Sequence, residues 1–260
     1  MNSNFFQVAS RWHLPLFIRV ASVALLLGVL GGCASGPGKT RHDPLEPLNR
    51  SVFQFNEEVD RAVLKPVALA YQDAVPALAR TGVSNFFANL GDVWSLVNSI
   101  LQFKIQNAGE TVIRLGVNTL FGLGGLLDIA TELNIDRHPE DFGQTLGRYG
   151  VPAGPYLVLP FFGPSTLRDA AALSIDASGN VISGINDVAT RNSVYVLRAV
   201  QVRTDLLRLG AVLDEASLDK YSFTRDAHLQ RRRSEIFDGD LPEDRQSADQ
   251  VLPASPPPGK

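Results

Sequence analysis

The sequence predicts an all-α domain, and three observations carry that expectation. Apolar residues recur at helical spacing, first as Leu48, Val52, Phe55, Val59 and Val63, later as Val93, Leu96, Val97, Ile100 and Leu101. Capping residues stand ahead of periodic segments, Asp43, Asp92, Asp128 and Asp219 among them. No run alternates with period two over several strands, as a sheet protein would require.

The elements follow in order. Asp43 is placed to cap the first helix, with Pro44 at its first position and Glu46 completing a capping box. Pro66 ends or kinks this segment, and a second helical stretch runs to about Ala74, stopped by Pro76. Ser84 caps a short turn through Asn89, and Asp92 caps the next helix. Residues 105–120 read as another helix. The stretch 121–127, Phe-Gly-Leu-Gly-Gly-Leu-Leu, is apolar and flexible together, and Asp128 opens a helix over 129–133. From Phe142 to Asp169 the pattern changes, with glycines at 143, 147, 150, 154 and 163 and prolines at 152, 155, 160 and 164. Between them runs Tyr156–Phe162, which carries no charge. Helix returns over 165–172, a long amphipathic segment covers 191–213, and Asp219 caps a last helix ending near Ile236. Residues 239–260 are acidic, Pro-rich and poor in apolar side chains, the composition of a disordered tail.

The N-terminal stretch reads as a secretory signal. Arg11 and Arg19 precede an apolar run from Val20 to Leu30, and Leu30-Gly31-Gly32 leads into Cys33, the single cysteine. A cysteine after a Leu-small-small triplet has the form of a bacterial lipobox. Cleavage would remove residues 1–32, Cys33 would carry acyl chains, and residues 33–42 would form a short tether. A cleaved signal followed by a free cysteine is the alternative. A permanent span is disfavoured, because the run falls short of the ~20 residues a transmembrane helix needs. Ala34 and Ser35 follow Cys33, with no aspartate, which by analogy with enteric lipoproteins directs the chain to the outer membrane. Each buried methylene contributes about 0.8 kcal/mol, so two or more acyl chains anchor without help from the fold.

Composition narrows the function. The chain has 24 basic and 27 acidic residues, a net charge of −3; removing the two signal arginines leaves 22 − 27 = −5. That balance disfavours nucleic acid as a partner and attachment to anionic lipid by charge alone. Gly36-Pro37-Gly38-Lys39-Thr40 lacks the first glycine and the preceding strand of a phosphate-binding loop. Asp141-Phe142-Gly143 has no accompanying kinase motifs. His42, His138 and His228 are scattered without a metal-ligand spacing. No enzyme, cofactor or metal is called for. Arg231-Arg232-Arg233 is either a solvated helix face or a contact for lipid phosphate. Two apolar stretches remain, 120–133, which carries glycines, and 156–162, which carries Pro160 and is flanked by Gly154 and Gly163. They are either the core of a helical bundle or a hairpin gating a path for an amphiphile, and repeated Gly and Pro argue against an ordinary core helix.

A family resemblance rests on many spaced blocks. They include Asp43-Pro44-Leu45-Glu46-Pro47-Leu48-Asn49-Arg50, Phe53, Phe55-Asn56, Lys65-Pro66-Val67, Ser84-Asn85-Phe86, Arg114, Asn118-Thr119 and Gly122-Leu123-Gly124-Gly125 with Asp128. The strongest runs from Phe142-Gly143-Gln144-Thr145-Leu146-Gly147 through Tyr149-Gly150-Val151, Gly154-Pro155-Tyr156, Leu159-Pro160 and Gly163 to Thr166-Leu167-Arg168-Asp169. Over about residues 43–238 the chain resembles the VacJ/MlaA family of lipoproteins. Pro47-Leu48 departs from the Gly-Phe of some members.

The resemblance implies a ring-like helical domain in the inner leaflet of the outer membrane, with a central amphipathic channel and a Gly/Pro-rich hairpin. It implies association with a trimeric porin, removal of phospholipid from the outer leaflet and delivery to a periplasmic lipid-binding shuttle, with no energy source in the chain itself. On this reading Asn56, Arg114, Asn118, Arg168 and Asp169 belong to a polar wall. Phe142, Gly143, Gly147, Gly150, Gly154, Pro155, Tyr156, Pro160 and Gly163 belong to a gate. Gly150→Pro and Gly154→Val are expected to stiffen that gate without unfolding the domain. The competing readings are a lipid-acting enzyme and a structural lipoprotein bracing a porin.

Overall fold

The computed structural model describes residues 43–216 and 219–239. The expected signal over 1–32, the expected anchor at Cys33, the expected tether over 33–42 and all of the expected tail 239–260 but Gly239 lie outside the described residues.

The described residues are mostly helical, with one two-stranded sheet among them. The elements are α1 Glu46–Val59, a π turn Asp60–Leu64, α2 Lys65–Ala74, α3 Ala77–Leu101, α4 Ile105–Leu120, α5 Ile129–Glu132 and α6 Phe142–Arg148. After them come β1 Tyr156–Leu159, β2 Gly163–Thr166, α7 Leu167–Gly179, a 3₁₀ turn Val181–Gly184, α8 Val188–Asp205, α9 Leu207–Ala216 and α10 Lys220–Ile236. α3 packs on α4, α2 on α8, and α6 on α7 and α10, while α1 lies against β1.

Several boundaries differ from the sequence expectation for physical reasons. Asp43 does not cap α1; it is buried, and its carboxylate accepts from Asn49 at 2.9 Å and from the Tyr221 hydroxyl. Pro66 does not end the first helix. The chain widens into a π turn just before it, with the Lys65 N–H donating to the Asp60 carbonyl five residues back, and helix continues to Ala74. A proline ring collides with the carbonyl four residues behind it, and the wider turn relieves that contact. Ser84 and Asp92 lie inside α3, not at helix starts. Asp92 is buried and accepts from Arg137 at 3.0 Å, so a tertiary partner takes up the carboxylate that a helix end would have used. α7 runs beyond 172 to Gly179, its start capped by the Thr166 hydroxyl accepting from the Asp169 N–H at 3.2 Å. The segment 191–213 divides at Leu206 into α8 and α9. Asp128 and Asp219 cap α5 and α10 as expected.

The helix faces are turned opposite to those of a water-soluble bundle. On α3 the buried residues besides Phe87 are Asn89, Asp92, Ser95, Asn98 and Ser99, while the predicted apolar stripe of Val93, Val97, Ile100 and Leu101 is exposed. α4 buries Thr111, Arg114 and Asn118 and exposes Ile105, Val112, Ile113 and Leu120. Leu48, Phe55 and Val63 of the α1 stripe and π turn also face outward. Among the described residues, buried polar side chains outnumber buried apolar ones. A small apolar core remains around Tyr156, Val158 and Tyr221, with Val52, Phe53 and Leu229 packed on it. No helix among the described residues is long and apolar enough to cross a membrane.

Candidate functional site

The hairpin 156–166 is the centre of the site. β1 and β2 pair antiparallel, Tyr156 with Thr166 through Leu159 with Gly163. The free edge of β1 is held by two side chains of α1. Asn49 donates to the Tyr156 carbonyl at 3.0 Å and accepts from the Val158 N–H at 2.9 Å. Asn56 donates to the Leu159 carbonyl at 3.0 Å and accepts from the Phe161 N–H at 2.9 Å. Seven residues are about two helical turns, so both amides lie on one face and act as a surrogate strand. At the tip, Phe161 has φ of 65°, a conformation that bulky residues rarely adopt. Its ring packs edge-on against Phe55 at 5.4 Å, and Phe161 and Phe162 are each 71 % exposed.

The hairpin's base is fixed by a charge cluster. Arg232 of α10 reaches Asp141 with both terminal nitrogens, at 2.6 and 2.5 Å, and Asp169 at 3.0 and 3.2 Å. Arg168 binds Asp169 at 2.9 Å through Nε. Asp141 also caps α6, accepting from the Gln144 N–H at 2.8 Å. Burial pushes both carboxyls upward, but hydrogen bonds and charge from Arg232 outweigh it and hold them below the usual range. The Asp141-Phe142-Gly143 tripeptide is therefore a helix cap in this fold. Gly143 and Gly147 make room for the cluster: a Cβ at 143 would come within 2.5 Å of Asp169 Oδ1, and one at 147 within 2.7 Å of Arg168 Nη1. Both sit in α6 as points of close approach and not as hinges. Gly150, with φ of 85°, closes α6; its N–H donates to the Gly147 carbonyl and the Val151 N–H to the Leu146 carbonyl, the paired bonds of a Schellman cap.

These features correct one expectation. Gly150→Pro demands a φ near −65° where the chain needs a positive one, and Gly154→Val adds a branched side chain at φ of 70°, its Cβ 3.1 Å from Leu167. Both changes disturb the fold itself and do not simply stiffen a hairpin.

The remaining candidates divide into two groups. Phe142, Gly154, Pro155, Tyr156, Pro160, Gly163, Asn56, Arg168 and Asp169 lie in or against the hairpin and its base. Arg114 and Asn118 join a different cluster. Arg114 is 1 % exposed and binds both Asp128 oxygens, at 2.8 and 2.9 Å. Asn118 donates to Asp128 at 2.9 Å and accepts from the Ala130 N–H at 2.9 Å. Hydrogen bonds and the Arg114 charge overcome desolvation and bring the Asp128 carboxyl down to about 2. Together they anchor the loop that presents Phe121, Leu123, Leu126 and Leu127 to the exterior.

A cavity of about 810 Å³ opens between the hairpin base and α10, lined in part by Gly154, Tyr156, Arg168, Leu229, Arg232 and Ile236. Its walls are largely apolar with arginines at one side, a surface suited to an amphiphile. The Tyr156 hydroxyl is buried without a hydrogen-bond partner, and burial pushes it up to about 12.

Comparison with known proteins settles the family. A family profile described as MlaA lipoprotein matches residues 41–235. The chain belongs to the MlaA lipoprotein family. It is 38 % identical over 220 residues to the intermembrane phospholipid transport system lipoprotein MlaA of Escherichia coli (strain K12), covering 82 % of this chain and 87 % of that one. The protein of the same description from Haemophilus influenzae is 34 % identical over 238 residues, covering 86 % and 93 %. A solved structure from work on the structural basis for maintenance of bacterial outer membrane lipid asymmetry is also similar, with a TM-score of 0.66 and 38 % identity. It covers 75 % of this chain and 100 % of that one. These MlaA relatives are described as lipoproteins of a transport system and not as enzymes.

Within this MlaA-family fold, sequence reasoning missed Asn49, Asp141 and Arg232 as site residues. The seven-residue spacing of Asn49 and Asn56 was a visible signal for a shared helix face. Nothing local to Arg232 distinguishes it from Arg231 and Arg233 on either side.

Proposed function

We propose that this chain is an outer-membrane lipoprotein of phospholipid transport. It takes stray phospholipid from the outer leaflet and passes it through an amphipathic path to a periplasmic lipid-binding shuttle. The observation that carries this reading is the turned-out surface: apolar side chains outside and polar ones inside, on described helices none of which is long and apolar enough to span. Such a body is suited to lying within one leaflet and offering a polar interior to a head group. Acyl chains on Cys33 would hold it there, with a trimeric porin as its neighbour, in a ring enclosing the path.

The gate in this proposal is the hairpin from Gly154 to Gly163. Its base, with Phe142, Gly143, Gly147 and Gly150, is the fixed end, and Asn56 holds the moving end. Arg168 and Asp169 face the path, and Arg114 and Asn118 support the loop beside it. The chain supplies no energy source, so direction comes from the lipid imbalance and the shuttle.

The test is the phospholipid content of the outer leaflet in cells with and without this protein. Loss should raise it, and the wild-type chain should restore it. Asn56→Ala, which frees the hairpin tip, should restore it incompletely. Equal outer-leaflet phospholipid in the presence and absence of the chain removes the proposal and favours a purely structural role beside a porin.

A further inference from the structure

A second cavity, of about 520 Å³, lies under the hairpin tip. Both cavities border α10. The first takes Leu229, Arg232, Arg233 and Ile236 from that helix; the second takes Phe223, Ala227, His228 and Arg231. At 3.6 residues per turn these sets fall on opposite faces. The arginine run is thereby resolved residue by residue: Arg232 turns into the charge cluster, and Arg231 and Arg233 each border one cavity.

The wall of the second cavity is largely apolar, with Thr224, His228 and Arg231 as its polar members. Phe162 and Pro164 come from the hairpin, Leu209 and Leu213 from α9, Phe223 and Ala227 from α10. His228 adds an imidazole whose Nε2 is buried without a partner. Burial first, then the charges of Arg232 and Arg231, bring it down to about 4 against the pull of Asp169, so it is neutral near pH 7. Arg231 is at the rim; its side chain is 72 % exposed, and its Nε meets Glu235 at 3.2 Å. The strained turn at Phe161, held by Asn56, precedes Phe162, which lines the cavity.

We propose that this cavity is an acyl-chain site for a phospholipid, with Arg231 engaging the phosphodiester at its mouth. The inference rests on the phospholipid-transport reading and adds a binding site to it. A peptide is a poor occupant, because its N–H and carbonyl groups would be stripped of water against walls offering few partners. An acyl chain has no such groups. A guanidinium is suited to the phosphate by its planar fork of donors, and the volume lies in the range of small-ligand pockets, about 300–1,000 Å³.

The test uses the full chain, freed of lipid in detergent and titrated with three probes: phosphatidylglycerol, diacylglycerol and glycerol phosphate. Native mass spectrometry reads the bound fraction. The wild type should bind phosphatidylglycerol best, diacylglycerol more weakly, and glycerol phosphate not at all over the same range. Ala227→Trp fills the cavity from an exposed helix position and should leave the melting temperature in place, yet weaken both lipids at least about tenfold. Arg231→Gln should weaken phosphatidylglycerol about three- to fivefold and leave diacylglycerol unchanged. Wild-type binding of both lipids by Ala227→Trp overturns the acyl site while transport stands. An equal loss on both lipids in Arg231→Gln overturns the phosphate role. Glycerol phosphate binding as tightly as lipid identifies a free-phosphate site and overturns the assignment. A wild-type chain that binds neither lipid brings down the transport reading as well.

Discussion

Asn49 gives β1 the hydrogen bonds that a third strand would have supplied, and its neighbours cannot replace them. Asn49→Ala leaves the Val158 N–H and the Tyr156 carbonyl buried without partners, at about 1–3 kcal/mol each. A loss of roughly 2–4 kcal/mol is expected, read as a lower urea midpoint at constant slope. His228 makes a second prediction. In the unfolded chain its imidazole binds a proton below about 6.5, and in the fold only below about 4. Between those values the unfolded state holds more protons, so stability falls as pH drops from 6.5 toward 4. His228→Phe should remove that part of the slope in melting temperature against pH, and an unchanged slope would show that the imidazole is not buried neutral. Single residues were only partly legible in sequence. Asn56, Arg168 and Asp169 stood out as polar groups, but a sequence does not say whether an arginine's partner is protein or ligand. For Arg114 the partner is Asp128, fourteen residues on.

Elements were legible where their ends are local and illegible where distant partners decide. Asp128 and Asp219 cap helices because their own backbone neighbours supply the N–H groups. Asp92 carries the same signal and caps nothing, since Arg137 claims it from 45 residues away. The alternation that marks strands was too short to register in four-residue β1 and β2, which depend on Asn49 and Asn56 from more than 100 residues earlier. Docking of α6, α7 and α10 depends on Arg232, which joins the Asp141 cap of α6 to Asp169 in the first turn of α7. Arg232→Gln leaves two carboxylates with diminished compensation, and removing one member of a buried pair costs about 3–5 kcal/mol. Thermal unfolding should show that loss, whereas Arg231→Gln, on an exposed side chain, should shift stability by less than about 1 kcal/mol. Similar losses from both would mean the cluster does not hold the three elements together.

At the scale of the molecule, helical periodicity located the helices yet reversed their faces. The stripe Val93, Val97, Ile100 and Leu101 has the spacing of a core-facing seam, and spacing alone does not distinguish a face turned to protein from one turned to lipid. The distinction lies in the opposite face, where Asn89, Asp92, Ser95, Asn98 and Ser99 find partners in other elements or within α3, or are enclosed by them. Large apolar side chains exposed along the same helix faces mark a surface that meets lipid or a partner, since a water-soluble monomer rarely gathers them. If that surface meets lipid, its side chains should contribute to membrane affinity whether or not Cys33 carries the proposed acyl chains. Leu120 and Phe121 are 78 % and 72 % exposed beside the loop held by Arg114. Burying each in hydrocarbon contributes about 1.5–3 kcal/mol, so Leu120→Gln with Phe121→Gln should weaken vesicle partition by roughly two to four powers of ten. The comparison belongs in a Cys33→Ser background, where no acyl chain masks the effect, with co-flotation on phospholipid vesicles as the readout. Both side chains lie outside the packed interior, so circular dichroism and melting temperature should stay close to those of the parent. Partition that survives the pair unchanged would place this surface against something other than lipid, and the turned-out faces would then need a protein to cover them.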